Sequence, residues 1–209
     1  MVYIFTEIEK FSESMIEEFL KILPEERKIK AQRYRFFADK RLCVLAYLLL
    51  LYSLNCKSVK LSYGEYGKPQ IEGTNFNLSH CRTGIACIVS ESECGIDVQD
   101  IGSARNAIED VDIFTSVEKQ ELELSKDKCE EFTRIWTRKE AYCKYLGCGI
   151  KSISFMRNCL DNTDKLILRS ERYSPDIWVS SCSENHEQFC IVSAEDLINK
   201  VGKVLHISV

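Results

Sequence analysis

The stretch WTRKEAYCKYLG (residues 136–147) places a carboxylate, an ammonium group and an aromatic ring close together. Glu140 precedes Lys144 by four residues, so a helix would carry both on one face. Such pairs commonly decorate helix surfaces, where they contribute roughly 0.3–0.5 kcal/mol. The same groups would also suit one wall of an active site. The stretch alone leaves both interpretations open.

A second carboxylate, Asp97, lies in the apolar stretch CGIDV (residues 94–98). A lone charge is unfavourable in a buried strand unless a cation or several donors meet it. An Asp that caps a turn at the strand end is an equally good interpretation. If the fold brings Asp97 and Glu140 together, however, two carboxylates with phosphate oxygens and water form a typical magnesium site.

Ser79 and His80 stand at the end of another β-like run, NFNLSH. A lone histidine is more often structural than functional. The chain has no G-x-S-x-G, which argues against serine hydrolase chemistry, and no G-x-x-x-x-G-K-[ST], which excludes a P-loop. Near a basic cluster, Ser79 and His80 would be suitable hydrogen-bond donors to phosphate.

Positive charge is concentrated between residues 25 and 41, although the chain has a net charge of −4 and a pI of about 5.6. The cluster consists of Arg27, Lys28, Lys30, Arg33, Arg35, Lys40 and Arg41. It is either a solvated helix face or a local pocket for phosphate. Because no overall basic field exists, neither nucleic acid nor a membrane surface is expected as a partner.

Strands and helices must both contribute to positioning these residues. The hydrophobic patterns predict an opening strand, a polar helix over 13–22, a buried helix over 42–54 and a turn over 63–71. Runs at 75–80, 84–90 and 94–99 predict an antiparallel meander. Residues 103–146 are predicted to be mainly helical, with Gly147 as a left-handed cap. Further strands are predicted at 165–170, 177–183, 188–194 and 204–209.

The tetrapeptide CIVS occurs at 87–90 and again at 190–193, each time within a predicted strand. This spacing, about half the chain, would fit two similar halves made by duplication. With 209 residues, 45% of them hydrophobic, the chain can bury a core as one large domain or as two small halves.

The eleven cysteines favour a reducing compartment rather than a disulfide framework. Their number is odd, no C-x-x-C occurs and most lie in apolar runs, so neither disulfides nor a structural zinc site is predicted. The N-terminus lacks the pattern of a signal peptide, and the apolar run at 42–54 is too short to span a bilayer. We therefore expect a cytoplasmic monomer.

The order of four motifs is more specific than any one of them: GKP at 67–69, NLSH at 77–80, GIDV at 95–98 and WTRKEAYCK at 136–144. Together they resemble the 4′-phosphopantetheinyl transferases of the long, pseudo-dimeric type. The resemblance implies an α+β fold of two similar halves, residues 1–100 and 101–209, with the active site between them. It also implies magnesium-dependent transfer of the phosphopantetheine arm of coenzyme A to a serine of an apo carrier protein, releasing 3′,5′-ADP. Fatty-acid, polyketide and peptide carriers all remain open.

The resemblance also implies roles for individual residues. Glu140 would bind magnesium and activate the serine, and Lys144 would contact the diphosphate. Asp97 would be the first metal ligand. Coenzyme A would be bound near its adenosine and 3′-phosphate by the residues that match further basic and polar family positions: Arg27, Lys30, Arg41, Lys68, Ser79 and His80.

One position departs from the family pattern. Many members have an acidic residue two positions after the Asp, where this chain has Gln99. Alternate strand residues share a face, so Gln99 would join Asp97 near the metal as a weaker, neutral ligand, or water would fill that place. This departure keeps open a non-catalytic protein that binds coenzyme A or a carrier. A magnesium phosphodiesterase acting on coenzyme A is a third hypothesis.

Overall fold

The computed structural model describes residues 1–103, 113–148, 157–162 and 165–205. Its strands are β1 (Val2–Phe5), β2 (Ser62–Tyr63), β3 (Pro69–Gln70), β4 (Asn75–His80), β5 (Ile85–Ser90), β6 (Cys94–Asp100), β7 (Ile167–Ser174), β8 (Ile177–Ser183) and β9 (Phe189–Ile191). Its helices are α1 (Glu13–Ile22), α2 (Glu25–Gln32), α3 (Phe37–Leu54), α4 (Ser116–Leu124), α5 (Lys128–Leu146) and α6 (Ala194–Leu205), with a 3-10 turn at Ile8–Lys10. The mixed α+β class expected from the sequence is confirmed.

The long strands form two separate sheets. The first has the order β4-β5-β1-β9, in which β9 runs parallel to β1 and the other neighbours are antiparallel. The second has the order β6-β8-β7 and is antiparallel throughout. The predicted turn over 63–71 is confirmed as the short β2–β3 hairpin.

Strand alternation arranges these sheets between layers of helices. In β1, Phe5 packs with the core around α3, whereas Val2 and Ile4 face the second sheet and meet Ile96 and Val179. Because successive strand residues point to opposite faces, one sheet can serve both cores. The second sheet in turn packs against α5, through contacts such as Cys182 with Ala141.

Helix α3 is the centre of the first core. Its residues 41–51 are all buried, since the helix is apolar around its whole circumference and is covered by the first sheet and by neighbouring helices. The buried helix predicted over 42–54 is therefore confirmed, and it begins earlier, at Phe37. The polar helix predicted over 13–22 is confirmed as α1.

The predicted meander is correct for β4 and β5 but wrong for β6. Strand β6 leaves the first sheet and pairs with β8, residue for residue from Cys94↔Ser183 to Asp100↔Ile177. The local hydrophobic pattern of a segment identifies it as a strand. It does not show which strand pairs with it, because that pairing depends on residues distant in sequence. This change of sheet moves Asp97 from the first sheet to the face that α5 covers.

The last part of the chain returns to the first sheet. Strand β9 pairs with β1, and α6 packs on the core around α3 through Leu197 and Val201. The two CIVS segments therefore flank β1 in one sheet instead of marking equivalent strands of two sheets. Both β9 and α6 come after residue 100 in the sequence, and the predicted division into halves at that residue stays a prediction.

The remaining predictions have mixed outcomes. Helical structure over 103–146 is confirmed by α4 and α5, and residues 104–112 lie outside the described part. The strand predicted at 204–209 is wrong at its start, because α6 extends to Leu205, and its other residues are not described. All eleven cysteines are free. No helix among the described residues is long and apolar enough to cross a membrane.

Candidate active site

Helix α5 carries Glu140 and Lys144 and is capped at both ends. Its first turn is closed by Asp127, whose Oδ1 accepts a hydrogen bond from the Glu130 N–H (3.0 Å). At the other end Gly147 has φ of 68°, and its N–H donates to the Lys144 carbonyl (3.3 Å). The predicted left-handed glycine cap is confirmed.

A glycine brings α5 against β6. A Cβ atom on Gly95 would lie 2.0 Å from the Ala141 carbonyl oxygen and 2.4 Å from the Tyr145 nitrogen, so only glycine allows this approach. Because strand side chains alternate, Asp97 points toward the same helix two residues later. The close approach of α5 therefore explains why the GIDV motif begins with glycine.

Asp97 is buried at the contact between β4, β6 and α5. Its Oδ1 accepts hydrogen bonds from Lys144 Nζ (2.6 Å) and from Ser79 Oγ (2.7 Å). Lys144 Nζ also donates to Ser79 Oγ (2.9 Å), which in addition accepts from the Val98 N–H (3.4 Å). The carboxylate is thus compensated by one cation and one hydroxyl, which explains why an aspartate is tolerated in an apolar strand.

Glu140 stands beside this cluster and has a strongly shifted pKa. Burial and, to a smaller extent, the nearby Asp97 carboxylate raise the pKa of Glu140 to about 7, and Lys144 acts in the opposite direction. Burial is the larger cause of this shift, and repulsion between the two carboxylates adds to it. A second cation placed between them would relieve this repulsion.

The two carboxylates fit a hard divalent ion such as magnesium. Magnesium takes oxygen ligands, often only one or two carboxylates, and keeps several waters. Within the described residues no group of three His, Cys, Asp or Glu is placed to hold a metal ion. Asp97 and Glu140 would therefore be the charged ligands, and neutral oxygens would complete the site.

Gln99 and Asp100, the last two residues of β6, differ in role. Gln99 follows Gly95 and Asp97 on the face of β6 that α5 covers, as the two-residue strand period predicts. Asp100 accepts hydrogen bonds at its two carboxylate oxygens from the Ser103 N–H (3.0 Å) and hydroxyl (2.8 Å). It therefore closes the turn after β6.

A small basic cleft of about 170 Å³ lies next to these carboxylates. Arg27, Lys30 and His80 line it, together with aromatic rings that include Tyr47 and Tyr63. The Arg27 guanidinium lies over the Tyr47 ring at 4.7 Å, and its buried Nε has no hydrogen-bond partner. Desolvation lowers the pKa of His80, and Lys144 and Lys30 act in the same direction, so its ring is mainly neutral at pH 7. These groups suit an anion.

Two predicted coenzyme A residues lie elsewhere. Lys68 belongs to the turn whose Gly67 and Pro69 line the cleft, but its Nζ donates to Glu93 (3.1 Å) and to the carbonyls of Cys94 and Tyr145. Arg41 is paired with Glu9 and lies over the Phe37 ring at 5.3 Å. Their ligand roles stay predictions.

Comparisons with known proteins find similarity to one family. The model of the 4′-phosphopantetheinyl transferase superfamily matches residues 93–194. A 4′-phosphopantetheinyl transferase of Bacillus pumilus is 29% identical over 153 residues, which are 68% of this chain and 65% of that protein. An L-aminoadipate-semialdehyde dehydrogenase-phosphopantetheinyl transferase of Candida glabrata is 28% identical over 150 residues, 64% of this chain and 58% of that protein. Over residues 93–194 the chain is therefore similar to the 4′-phosphopantetheinyl transferase superfamily.

A shorter match is more similar. The 4′-phosphopantetheinyl transferase AcpT of Salmonella typhi is 39% identical over 100 residues, 42% of this chain and 50% of that protein. The matches thus span between 50% and 65% of these three relatives' own length. The region matched by the phosphopantetheinyl transferase model contains Asp97, Gln99, Glu140 and Lys144, whereas the basic cleft is built from residues that precede it.

Three residues that support the site were not singled out from the sequence. Asn77 is buried and its Oδ1 accepts the Ile96 N–H (3.1 Å), which joins β4 to the edge of β6. Glu118 and Lys139 form a fully buried ion pair of 2.7 Å. The T-x-x-E spacing from Thr115 to Glu118 is a capping-box signal that identifies the helix start, though not the ion pair.

Proposed function

We propose that this protein transfers the 4′-phosphopantetheine arm of coenzyme A to a serine of an apo carrier protein and releases 3′,5′-ADP. The observation that carries the proposal is the group formed by Asp97, Glu140 and Lys144 where β6 meets α5. The adjacent basic cleft offers a place for the negatively charged nucleotide end. The names of the relatives support the same activity.

The reaction exchanges one phosphorus–oxygen bond for another. The serine oxygen of the carrier forms a bond to the pantetheine-side phosphorus, and the bond from that phosphorus to the ADP oxygen breaks. The serine proton passes to Glu140, directly or through a water molecule, so Glu140 acts as the general base. The carrier supplies the nucleophile, which agrees with the absence of a recognisable nucleophile motif in this sequence.

Lys144 can change partners during this process. Its ammonium neutralises Asp97 in the structure. A diphosphate beside it would attract the same ammonium, and the charge on the departing oxygen would be offset. Magnesium held by Asp97 and Glu140 would supply further charge neutralisation. Positioning and electrostatics, not covalent catalysis by the protein, would therefore account for most of the rate.

The same proposal includes an architecture of two similar halves with the site between them. Each main sheet is covered on its outer face by one long helix, α3 of 18 residues and α5 of 19 residues. This similarity supports a duplication, although β9 and α6 pack with the first half. Superposition of α3 and the first sheet on α5 and the second sheet is the direct check. A different strand order relative to the helix would contradict it.

The activity is tested by incubating the protein with coenzyme A, magnesium and a panel of apo carriers, and weighing each carrier by mass spectrometry. The expected result is a gain of one phosphopantetheine mass on at least one carrier, with release of 3′,5′-ADP. Tight coenzyme A binding without a mass gain would favour the non-catalytic protein that Gln99 keeps under consideration. Free phosphopantetheine formed without a carrier would instead indicate a phosphodiesterase.

Asp97→Asn tests whether the carboxylate of β6 belongs to the site. The amide preserves the shape of the side chain but removes the charge that Lys144 meets and that magnesium would need. Transfer should fall at least about a hundredfold, because a group stabilising charge in the transition state is lost. Asp176→Asn is the matched control, since Asp176 is exposed in the turn between β7 and β8. Equal activity of both variants would contradict the proposed site.

A further inference from the structure

Three consecutive polar side chains of α5, immediately before Glu140, are buried. Thr137, Arg138 and Lys139 are 0%, 6% and 2% exposed. Consecutive helix residues point about 100° apart, so the three side chains leave the helix in different directions. Polar groups at such positions must be paired, and each of them is bound to a different part of the fold.

The first two side chains attach α5 to the second sheet and to the segment before β7. Thr137 Oγ1 lies 2.7 Å from Ser180 Oγ on β8. The Arg138 guanidinium donates to the carbonyls of Leu160 (2.9 Å) and Leu168 (3.0 Å), and also to that of Cys159. The third side chain, that of Lys139, points toward α4.

Lys139 meets Glu118 at the start of α4. Its Nζ donates to Glu118 Oε2 (2.7 Å) and to the Arg157 carbonyl (3.0 Å). Glu118 also accepts from the Thr115 N–H (2.8 Å) and hydroxyl (3.0 Å), and its other oxygen accepts the Cys159 N–H (2.9 Å). The pair therefore connects three chain segments at one point.

We propose that Lys139 and Glu118 act as a positioning pair that sets the rotation of α5 about its axis and so turns Glu140 toward Asp97. This inference rests on the proposed function. A buried ion pair generally adds little net stability compared with apolar residues of the same size. We therefore assign the pair a role in orienting Glu140. Lys139 is the immediate neighbour of Glu140, and neither Lys139 nor Glu118 is placed to touch a substrate.

Lys139→Met and the double variant Glu118→Gln/Lys139→Met separate positioning from stability. The single variant leaves a buried carboxylate without its cation and should unfold at a lower temperature. The double variant removes both charges and should regain most of that stability. Its kcat, per folded molecule, should nevertheless stay about ten- to a hundredfold low, since small misplacements of a reacting group have effects of this size. Its KM for coenzyme A should change less than about threefold, because other residues build the basic cleft.

A second readout does not need the transfer reaction. Mn²⁺ can replace magnesium in the site, and electron paramagnetic resonance measures its binding. In the double variant the affinity for Mn²⁺ should fall about tenfold, because Asp97 and Glu140 would no longer face each other. Lys128→Met, the same substitution at an exposed position of α5, should leave kcat and Mn²⁺ binding unchanged. Glu118→Gln alone, which preserves the side-chain shape, should show the same loss of kcat with KM unchanged.

Recovery of kcat and Mn²⁺ affinity together with stability in the double variant would overturn the positioning role. Unchanged kcat in Glu118→Gln would do the same, even if the Lys139 variants failed to fold. Wild-type protein that transfers nothing to any carrier would refute the proposed function instead. In that case the Mn²⁺ titrations of wild type and variants would still decide whether the pair directs Glu140.

Discussion

At the scale of single residues, the site is defined by a local imbalance of charge. Asp97 and Glu140 face one ammonium, that of Lys144, and this ammonium bonds to Asp97. Glu140 is left with burial and a like charge, which is why its pKa is raised. The imbalance is unfavourable for the two carboxylates by themselves and favourable for a cation that enters between them.

Metal-free wild-type protein should become less stable relative to Glu140→Gln as the pH rises from 5 to 8. Folded Glu140 keeps its proton up to a pKa of about 7, whereas its ordinary value is 4.5, so the folded state binds more protons in this interval and loses stability as they leave. The two proteins should differ little at pH 5. At pH 8 the variant should be more stable, by up to about 3 kcal/mol.

Urea unfolding in the presence of EDTA at both pH values measures this difference. All other carboxyl groups are common to both proteins, so the change in their difference between pH 5 and 8 reports on Glu140. A difference that is the same at both pH values would contradict the raised pKa.

Gln99→Glu should lower the magnesium concentration that gives half-maximal transfer. The substitution adds a charged oxygen on the strand face that Asp97 shares, and magnesium prefers carboxylate to amide oxygen. A decrease of about tenfold is expected, and magnesium titration of the transfer rate measures it. Asp100→Asn is the control, because Asp100 bonds Ser103 and should not change the magnesium requirement. A larger effect at Asp100 than at Gln99 would contradict this arrangement.

At the scale of elements, the decisive contact is that of β6 with α5. One strand brings Asp97 and one helix brings Glu140 and Lys144, and their distance depends on how closely the two backbones approach. Gly95 permits this approach, and the caps at Asp127 and Gly147 fix the length of the helix. The packing of β6 against α5 thus determines the distance between Asp97 and Glu140.

Gly95→Ala should destabilise the protein by about 3 kcal/mol, because the added carbon would meet the Ala141 carbonyl oxygen at 2.0 Å and no flexible side chain can yield there. Gly64→Ala is the matched control. Its added carbon would lie 3.4 Å from the Gln70 side chain and 3.8 Å from the Lys68 carbonyl oxygen, which are ordinary contacts, so its stability should stay within about 0.5 kcal/mol of wild type. Urea denaturation of both variants measures the effects, and similar values would contradict the close packing.

At the scale of the whole molecule, two sheets are joined without a continuous backbone ladder. On the free edge of β6, the Ile96 N–H donates a hydrogen bond to the Asn77 side chain of β4, and the Val98 N–H donates one to the Ser79 side chain. These two side chains, two residues apart, replace strand pairing where the sheets meet. The basic cleft, built on the first core, is thereby held next to the carboxylates of the second sheet.

Asn77→Ala should loosen this junction. The Ile96 N–H would remain buried without a partner, which destabilises a protein by about 1–3 kcal/mol. Hydrogen exchange of the Ile96 and Val98 amides should become faster than in wild type. Asn75→Ala, on the same strand face, removes only an exposed bond to the Glu91 carbonyl and should leave these amides protected. Faster exchange in both variants alike would contradict a specific role for Asn77.

The sequence alone determined the elements and the motif residues of this protein. The GIDV strand, the helix of Glu140 and Lys144, and the cap at Gly147 follow from short-range patterns, because hydrophobic period and glycine conformation are local properties. The four motifs in their order also indicated the family, which the matches over residues 93–194 support.

Only the tertiary structure decided which groups meet. Strand β6 pairs with β8 rather than β5, Lys68 turns toward Glu93 and away from the basic cleft, and Lys139 bonds Glu118 from another helix. Each of these outcomes depends on partners that are distant in sequence, and local pattern carries no information about them. The carboxylate pair was inferable from its motifs, but the burial and the neighbouring Asp97 charge that raise the pKa of Glu140 are set only by tertiary packing.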